Sequence, residues 1–300
     1  MERMPLLAML VATCAVSFAA ILIKKSGEHA FTIAFWRLFF AATIMLGAAL
    51  MLRETKDFQK IRINREFSLL VISGFFLAIH FAAWNLSLDY TSVAASVTIV
   101  DSSPLIVLVL SSIILRESIS KSQTIGILVA ILGAVIIGIA DWSGEGQDPF
   151  VGDLLAFVGA IAVAVYFIIG RRARSSMSTF SYVVVVYGFC AFFLLIACLA
   201  LEIQVLTAET SEYVLFMLLA LGPSCLGHSL YNYALGHIRA PVVSTVTLGE
   251  ALGSTILAIF ILDEIPSLLV VVGALIVLIG VIITLEPWKD SMEKTILQTS

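Results

Sequence analysis

The sequence predicts an all-α polytopic membrane protein: ten transmembrane helices arranged as two inverted five-helix repeats, with both termini in the cytoplasm. Three observations predict it. Hydrophobic residues make up 60% of the 300-residue chain and charged ones 13%, and a mean hydropathy of +1.08 leaves too little polar surface to coat a soluble globule. Apolar runs of about 18 residues or more recur along the whole length, each long enough to cross a ~30 Å hydrocarbon layer as a helix. The two halves of the chain also match one another at a fixed offset. Backbone groups in lipid must be satisfied within their own segment, and the alternating pattern of a barrel strand is absent, so the runs read as helices.

Charge clusters, Gly/Pro/Ser turns and Asp/Asn residues punctuate the chain and divide it into ten spans. They cover roughly residues 5–23, 30–52, 66–87, 92–115 and 121–140, then 151–170, 178–201, 213–235, 240–262 and 267–285. Most connections are short. The longer ones are the basic RETKDFQKIRINRE and the acidic DWSGEGQDPFVGD and EIQVLTAETSE. The N-terminal apolar run is long and lacks a clear small-residue cleavage site, which predicts a retained first helix rather than a signal peptide. Cys14, Cys190, Cys198 and Cys225 fall inside apolar spans without paired spacing and read as small buried hydrophobes.

Basic residues set the orientation, because Lys and Arg favour the cytoplasmic side while acids carry little weight. With the N-terminus inside, 14 of the 17 basic residues fall on cytoplasmic segments, Lys24 and Lys25 fall outside, and Arg37 lies within a span. The locations this predicts are a multi-pass position in the cell membrane and a short cytoplasmic tail, 289–300.

Shifting the chain by 147 residues lays WNLSLDYTSVAASVTIVDSSPLIVLVLSSIILRESIS, from Trp84, over YNYALGHIRAPVVSTVTLGEALGSTILAIFILDEIPS, from Tyr231, without a gap. Asn85 meets Asn232, Leu88 meets Leu235, Glu117 meets Glu264, and Gly126 and Gly133 meet Gly273 and Gly280. The earlier helices need a one-residue indel, which pairs Lys24–Lys25 with Arg171–Arg172. The repeats are therefore 1–143 and 144–288. Five spans per half is an odd number, so the halves enter the membrane in opposite senses. Inverted repeats of this kind build a site near the midplane, between parts that can rock against one another.

With N-x-(A/S)-L and L-x-E in both halves, the chain resembles the drug/metabolite transporter superfamily, EamA-like branch, over essentially its whole length. Pro104 stands thirteen residues before Glu117, as such sequences often show, whereas the second half has Ala251 at the equivalent place with Glu250 beside it. The resemblance implies an exporter of amino acids, other metabolites or drugs; related branches carry nucleotide sugars or sugar phosphates.

Polar residues inside the spans are the candidate site. Asp101 lies about 9 residues into helix four, ~14 Å deep, and Glu250 about 10 residues into helix nine, ~15 Å deep. A charge at the bilayer centre costs at least about 2.5–3.5 kcal/mol on insertion scales, so each acid is expected to face a wet cavity or a partner. The alternative for each is a neutral carboxylic acid fastening two helices. Under the shift Asp101 falls on Leu248 and Glu250 on Ser103, about 200° apart on an ideal helix, which makes different jobs for the two acids the expectation. Arg37 either snorkels to the outer surface, pairs with Asp101, or holds a substrate carboxylate. His80 and His228, each about 7 residues from a helix end on opposite sides of the membrane, either hydrogen-bond a neighbouring helix or do gating and proton work.

Asn85 and Asn232 are expected to cap the turns into the next helices. Trp36, Trp84, Tyr166 and Tyr231 are candidates for a substrate cavity or an interfacial belt, with Trp84 assigned to the belt. Gly222, Pro223 and Gly227 should kink helix eight, while the equivalent FFLAIHF has neither Gly nor Pro. Gly126, Ala130 and Gly133 with Gly273 and Gly280 give close-packing faces, which either join the halves or form a homodimer.

No P-loop, Gly-rich nucleotide fingerprint or His/Cys metal cluster is present in the sequence, so no cofactor, metal or nucleic acid and no enzyme activity is expected. A phosphorylated substrate would want several buried cations, and the spans offer Arg37 alone. The sequence thus predicts a secondary transporter in the lipid bilayer, an exporter of amino acids or related small metabolites working by alternating access, with proton coupling through either acid. A facilitative uniporter or a channel for small polar solutes is the alternative.

Overall fold

The computed structural model describes residues 3–58, 65–116, 120–141, 148–207, 209–263 and 265–299. Glu117 and Glu264 of the repeat, and residues 142–147 of the acidic DWSGEGQDPFVGD stretch, lie outside them. Among the described residues every regular element is helical. The first half comprises α1 (Arg3–Val16), α2 (Ala19–Lys24), α3 (Ala30–Met51), α4 (Arg65–Tyr90), α5 (Val93–Val100), α6 (Pro104–Leu110) and α7 (Lys121–Asp141). The second comprises α8 (Pro149–Ala173), α9 (Thr179–Ala200), α10 (Thr210–Leu219), α11 (Ser229–Leu235), α12 (Ala240–Thr247), α13 (Gly249–Ile261) and α14 (Leu268–Thr299).

Among the described residues, eight stretches are long and apolar enough to cross a membrane: Met4–Lys24, Ala30–Met51, Arg65–Tyr90, Val93–Leu115, Pro149–Ala173, Thr179–Ala200, Thr210–Leu235 and Ala240–Ile261. Two further apolar helices, Lys121–Gly133 and Leu268–Thr284, are shorter.

Several stretches are interrupted, and the local chemistry accounts for the breaks. Pro104 has no N–H and its ring would collide with the carbonyl four residues back, so α5 stops at Val100 and α6 restarts with Pro at its first position. The second half breaks at the equivalent place, between α12 and α13, without a proline at the break. There the Thr245 and Thr247 hydroxyls donate back to the Pro241 and Ser244 carbonyls at 2.6 and 2.7 Å, a pattern that bends helices. The α1–α2 break carries a similar bond, Ser17 Oγ to Thr13 O at 2.8 Å. The expected kink in helix eight is a π-helical segment, Ala220–His228, around Pro223; α4, its counterpart, is continuous.

The halves are alike in detail. Left-handed residues close α3 and α9 at Arg53 (φ 58°) and Glu202 (φ 56°), and follow the α6 and α13 spans at Arg116 (φ 55°) and Asp263 (φ 57°). The packing is symmetric too. The segment from α1 packs on the π-segment and α11 as α8 packs on α4; α3 meets α9, α5 meets α13, and α7 lies along α14. Exchanging the halves maps this contact pattern onto itself.

The small residues of helices five and ten face each other inside one chain. A Cβ on Gly133 would come within 2.6 Å of the Gly273 carbonyl oxygen and 2.7 Å of the Val277 nitrogen. Of the two roles expected for these faces, joining the halves is the one they occupy.

Candidate functional site

Asp101 and Glu250 sit where the two broken spans cross. Asp101 ends α5 on the turn before Ser103 and Pro104, and Glu250 is the second residue of α13. The half-turn separation expected on ideal helices does not apply, because both helices are interrupted at these residues. Both acids line one hollow between the halves. Asp101 Oδ2 is buried with no hydrogen-bond partner among the described residues.

Arg37 projects from the middle of α3 with 0% exposure, so it does not snorkel. Nε donates to Ser224 Oγ at 2.8 Å, a hydroxyl presented by the π-segment. The guanidinium carbon lies 4.2 Å from the centroid of the Phe81 ring, a cation–π contact. Nη1 and Nη2 have no hydrogen-bond partner among the described residues.

The two histidines meet instead of lying at different depths: their ring centroids are 6.1 Å apart. Nδ1 of His80 donates to the Gly159 carbonyl at 3.1 Å, tying α4 to α8, and its ring stacks on Trp84 at 6.0 Å and 9°. His228 lies edge-on to Phe81, and its Nδ1 has no hydrogen-bond partner among the described residues. Trp84, expected in an interfacial belt, is 2% exposed and lines the hollow.

Arg37, His80, Asp101, Ser103, His228 and Glu250 therefore share one cavity, with Val16, Val163, Phe167, Tyr231 and Thr247 completing most of its wall. Its volume is about 30 Å³, room for roughly two waters. No lining residue is more than 9% exposed. Trp36 and Tyr166 are not in the wall. Trp36 donates Nε1 to the Val205 carbonyl at 2.8 Å within a cluster of aromatic rings that includes Tyr213. Tyr166 is buried, with its hydroxyl taking a hydrogen bond from Asn232 Nδ2.

The asparagines do not cap the following turns. Asn85 donates to the Ala30 carbonyl at 3.2 Å, and Asn232 reaches Tyr166, so both link separate spans; Ser92 supplies the cap of α5. Sequence reasoning missed Thr247, whose only signal was its place three residues before Glu250; it is the last residue of α12, beside the break.

A membrane-spanning bundle of two similar halves around a buried polar hollow defines a membrane transport protein. The chain belongs to the EamA-like transporter family, whose model matches residues 3–139 and 150–286, two stretches that begin 147 residues apart. It is 26% identical over 264 residues to the uncharacterized transporter YyaM of Bacillus subtilis, covering 82% of this chain and 81% of that one. An uncharacterized vacuolar membrane protein of Saccharomyces cerevisiae is 27% identical over 155 residues, 45% of this chain and 36% of its own. A solved crystal structure, 18% identical, superposes with a TM-score of 0.69 over 92% of this chain and 94% of its own, and shares the fold.

Proposed function

We propose that the protein is a secondary transporter of the cell membrane that exports amino acids or related small metabolites by alternating access. One observation carries the reading. Buried, unpartnered polar atoms of opposite character, Arg37 Nη1 and Nη2, Asp101 Oδ2 and His228 Nδ1, converge on a single hollow between the halves. Leaving such groups unpaired is costly, more so for charged ones, so a ligand that satisfies both kinds gains what the apo site forgoes. A zwitterion does this: its carboxylate meets the Arg37 fork and its ammonium meets Asp101 and Glu250. Proton exchange through either acid couples transport to a pH gradient.

The path consists of ten spans, with α7 and α14 as the fifth and tenth, in two inverted repeats with both termini cytoplasmic. The excess of Lys and Arg on one set of loops supports that orientation. Burial of every lining residue favours a carrier over a channel.

Counterflow in proteoliposomes, with amino acids, amines and sugars tried in turn and with or without a pH gradient, tests the reading. Labelled amino acid should accumulate against internal unlabelled amino acid. Steady conductance without counterflow would replace the carrier with a channel; exchange of sugars alone would discard the zwitterion.

A further inference from the structure

Two carboxylates at opposite ends of α3 each reach across from one half of the chain to the other. Glu212, 6% exposed in the first turn of α10, grips the connection between α2 and α3. Its Oε2 accepts from Ser26 Oγ at 2.5 Å and its Oε1 from the Gly27 N–H at 2.9 Å. Two more bonds fasten the same corner: Thr32 Oγ1 donates to the Gln204 carbonyl at 2.7 Å, and Trp36 Nε1 donates to that of Val205. At the other end Asp57, in the connection after α3, accepts from the Ser178 N–H at 2.8 Å, and Ser178 lies between α8 and α9. Arg171 and Arg174 strengthen that corner by donating to the Leu235 and Asn232 carbonyls at 2.8 and 3.1 Å.

These corners are topological mates. The connection α2–α3 in the first half corresponds to α8–α9 in the second, and the approach to α4 corresponds to the approach to α10. Each acid grips the hairpin connection of the opposite half. The two corners stand at opposite ends of α3, a helix of 22 residues and therefore ~33 Å long. The hollow lies between them.

We infer that Glu212 and Asp57 are the two gate latches of the transport cycle, and that opening of either face requires release of its own latch while the other stays shut. The inference rests on the alternating-access reading above.

The test uses a reporter cysteine in the hollow, Ser103→Cys, with Cys14, Cys190, Cys198 and Cys225 replaced. The protein is reconstituted in one orientation, and a membrane-impermeant maleimide is added to one face at a time. Glu212→Ala should speed labelling from the Glu212 face about tenfold, the scale of a lost charge-assisted hydrogen bond, and leave the Asp57 face slower or unchanged. Asp57→Ala should do the reverse. Ser26→Ala and Asp57→Asn repeat each arm with milder changes, and thermal melting confirms that each protein is folded. Labelling of the parent from both faces at rates these variants do not alter overturns the latches and leaves alternating access standing. Absence of labelling from either face in all variants overturns both.

Discussion

At the scale of single residues, the hollow is set by side chains that are expensive to place in a bilayer. Arg37 is buried completely, yet Ser224 and the Phe81 ring satisfy only part of it. A lysine there would keep the charge and lose the fork, so Arg37→Lys should weaken binding of carboxylate-bearing substrates about tenfold, while the matching amines without a carboxylate are little affected. Equilibrium binding of an amino acid and its decarboxylated amine checks this; equal losses for both would remove Arg37 from carboxylate recognition. Asp101→Asn and Glu250→Gln should each lower exchange in proteoliposomes while folded protein remains in the membrane. Normal transport by both variants across the pH range would dismiss the acids. Asp101, Glu250 and Arg37 were legible in the sequence because a charged group among aliphatics has few explanations. Trp84 was not, because an aromatic near a predicted span end fits the membrane surface equally well until the helix is found to run past it to Tyr90.

At the scale of elements, the sequence carried the repeats and spans further than the breaks. Pro104 marks the interruption between α5 and α6, but its counterpart rests on threonine hydroxyls and carries no conspicuous residue. The half-turn drawn between Asp101 and Glu250 failed for that reason: angular bookkeeping on an ideal helix stops at a break. The glycines of helices five and ten were readable as packing faces, and what they pack against required the fold. Their fit is tight enough to test. Gly133→Val would drive side-chain atoms into the Gly273 carbonyl and Val277, costing about 1–3 kcal/mol, seen as a lower melting temperature in detergent. Gly188, with nothing within 4 Å of a built Cβ, is the control that should tolerate alanine.

At the scale of the whole molecule, two half-chains with matching left-handed turns and a self-symmetric contact pattern surround one small hollow. The inverted arrangement proposed above makes a sharp prediction about mates. In a background without native cysteines, Lys25→Cys should react with an impermeant thiol reagent from outside the cell, and Arg172→Cys only in everted vesicles. Reaction of both from one side would make the repeats parallel. The hollow has a further consequence for the cell that houses it. A space for about two waters, lined by residues no more than 9% exposed, cannot thread a continuous file of water from one compartment to the other. Hydrogen ions then have no wire along which to hop, and the bilayer keeps its insulation while the protein idles.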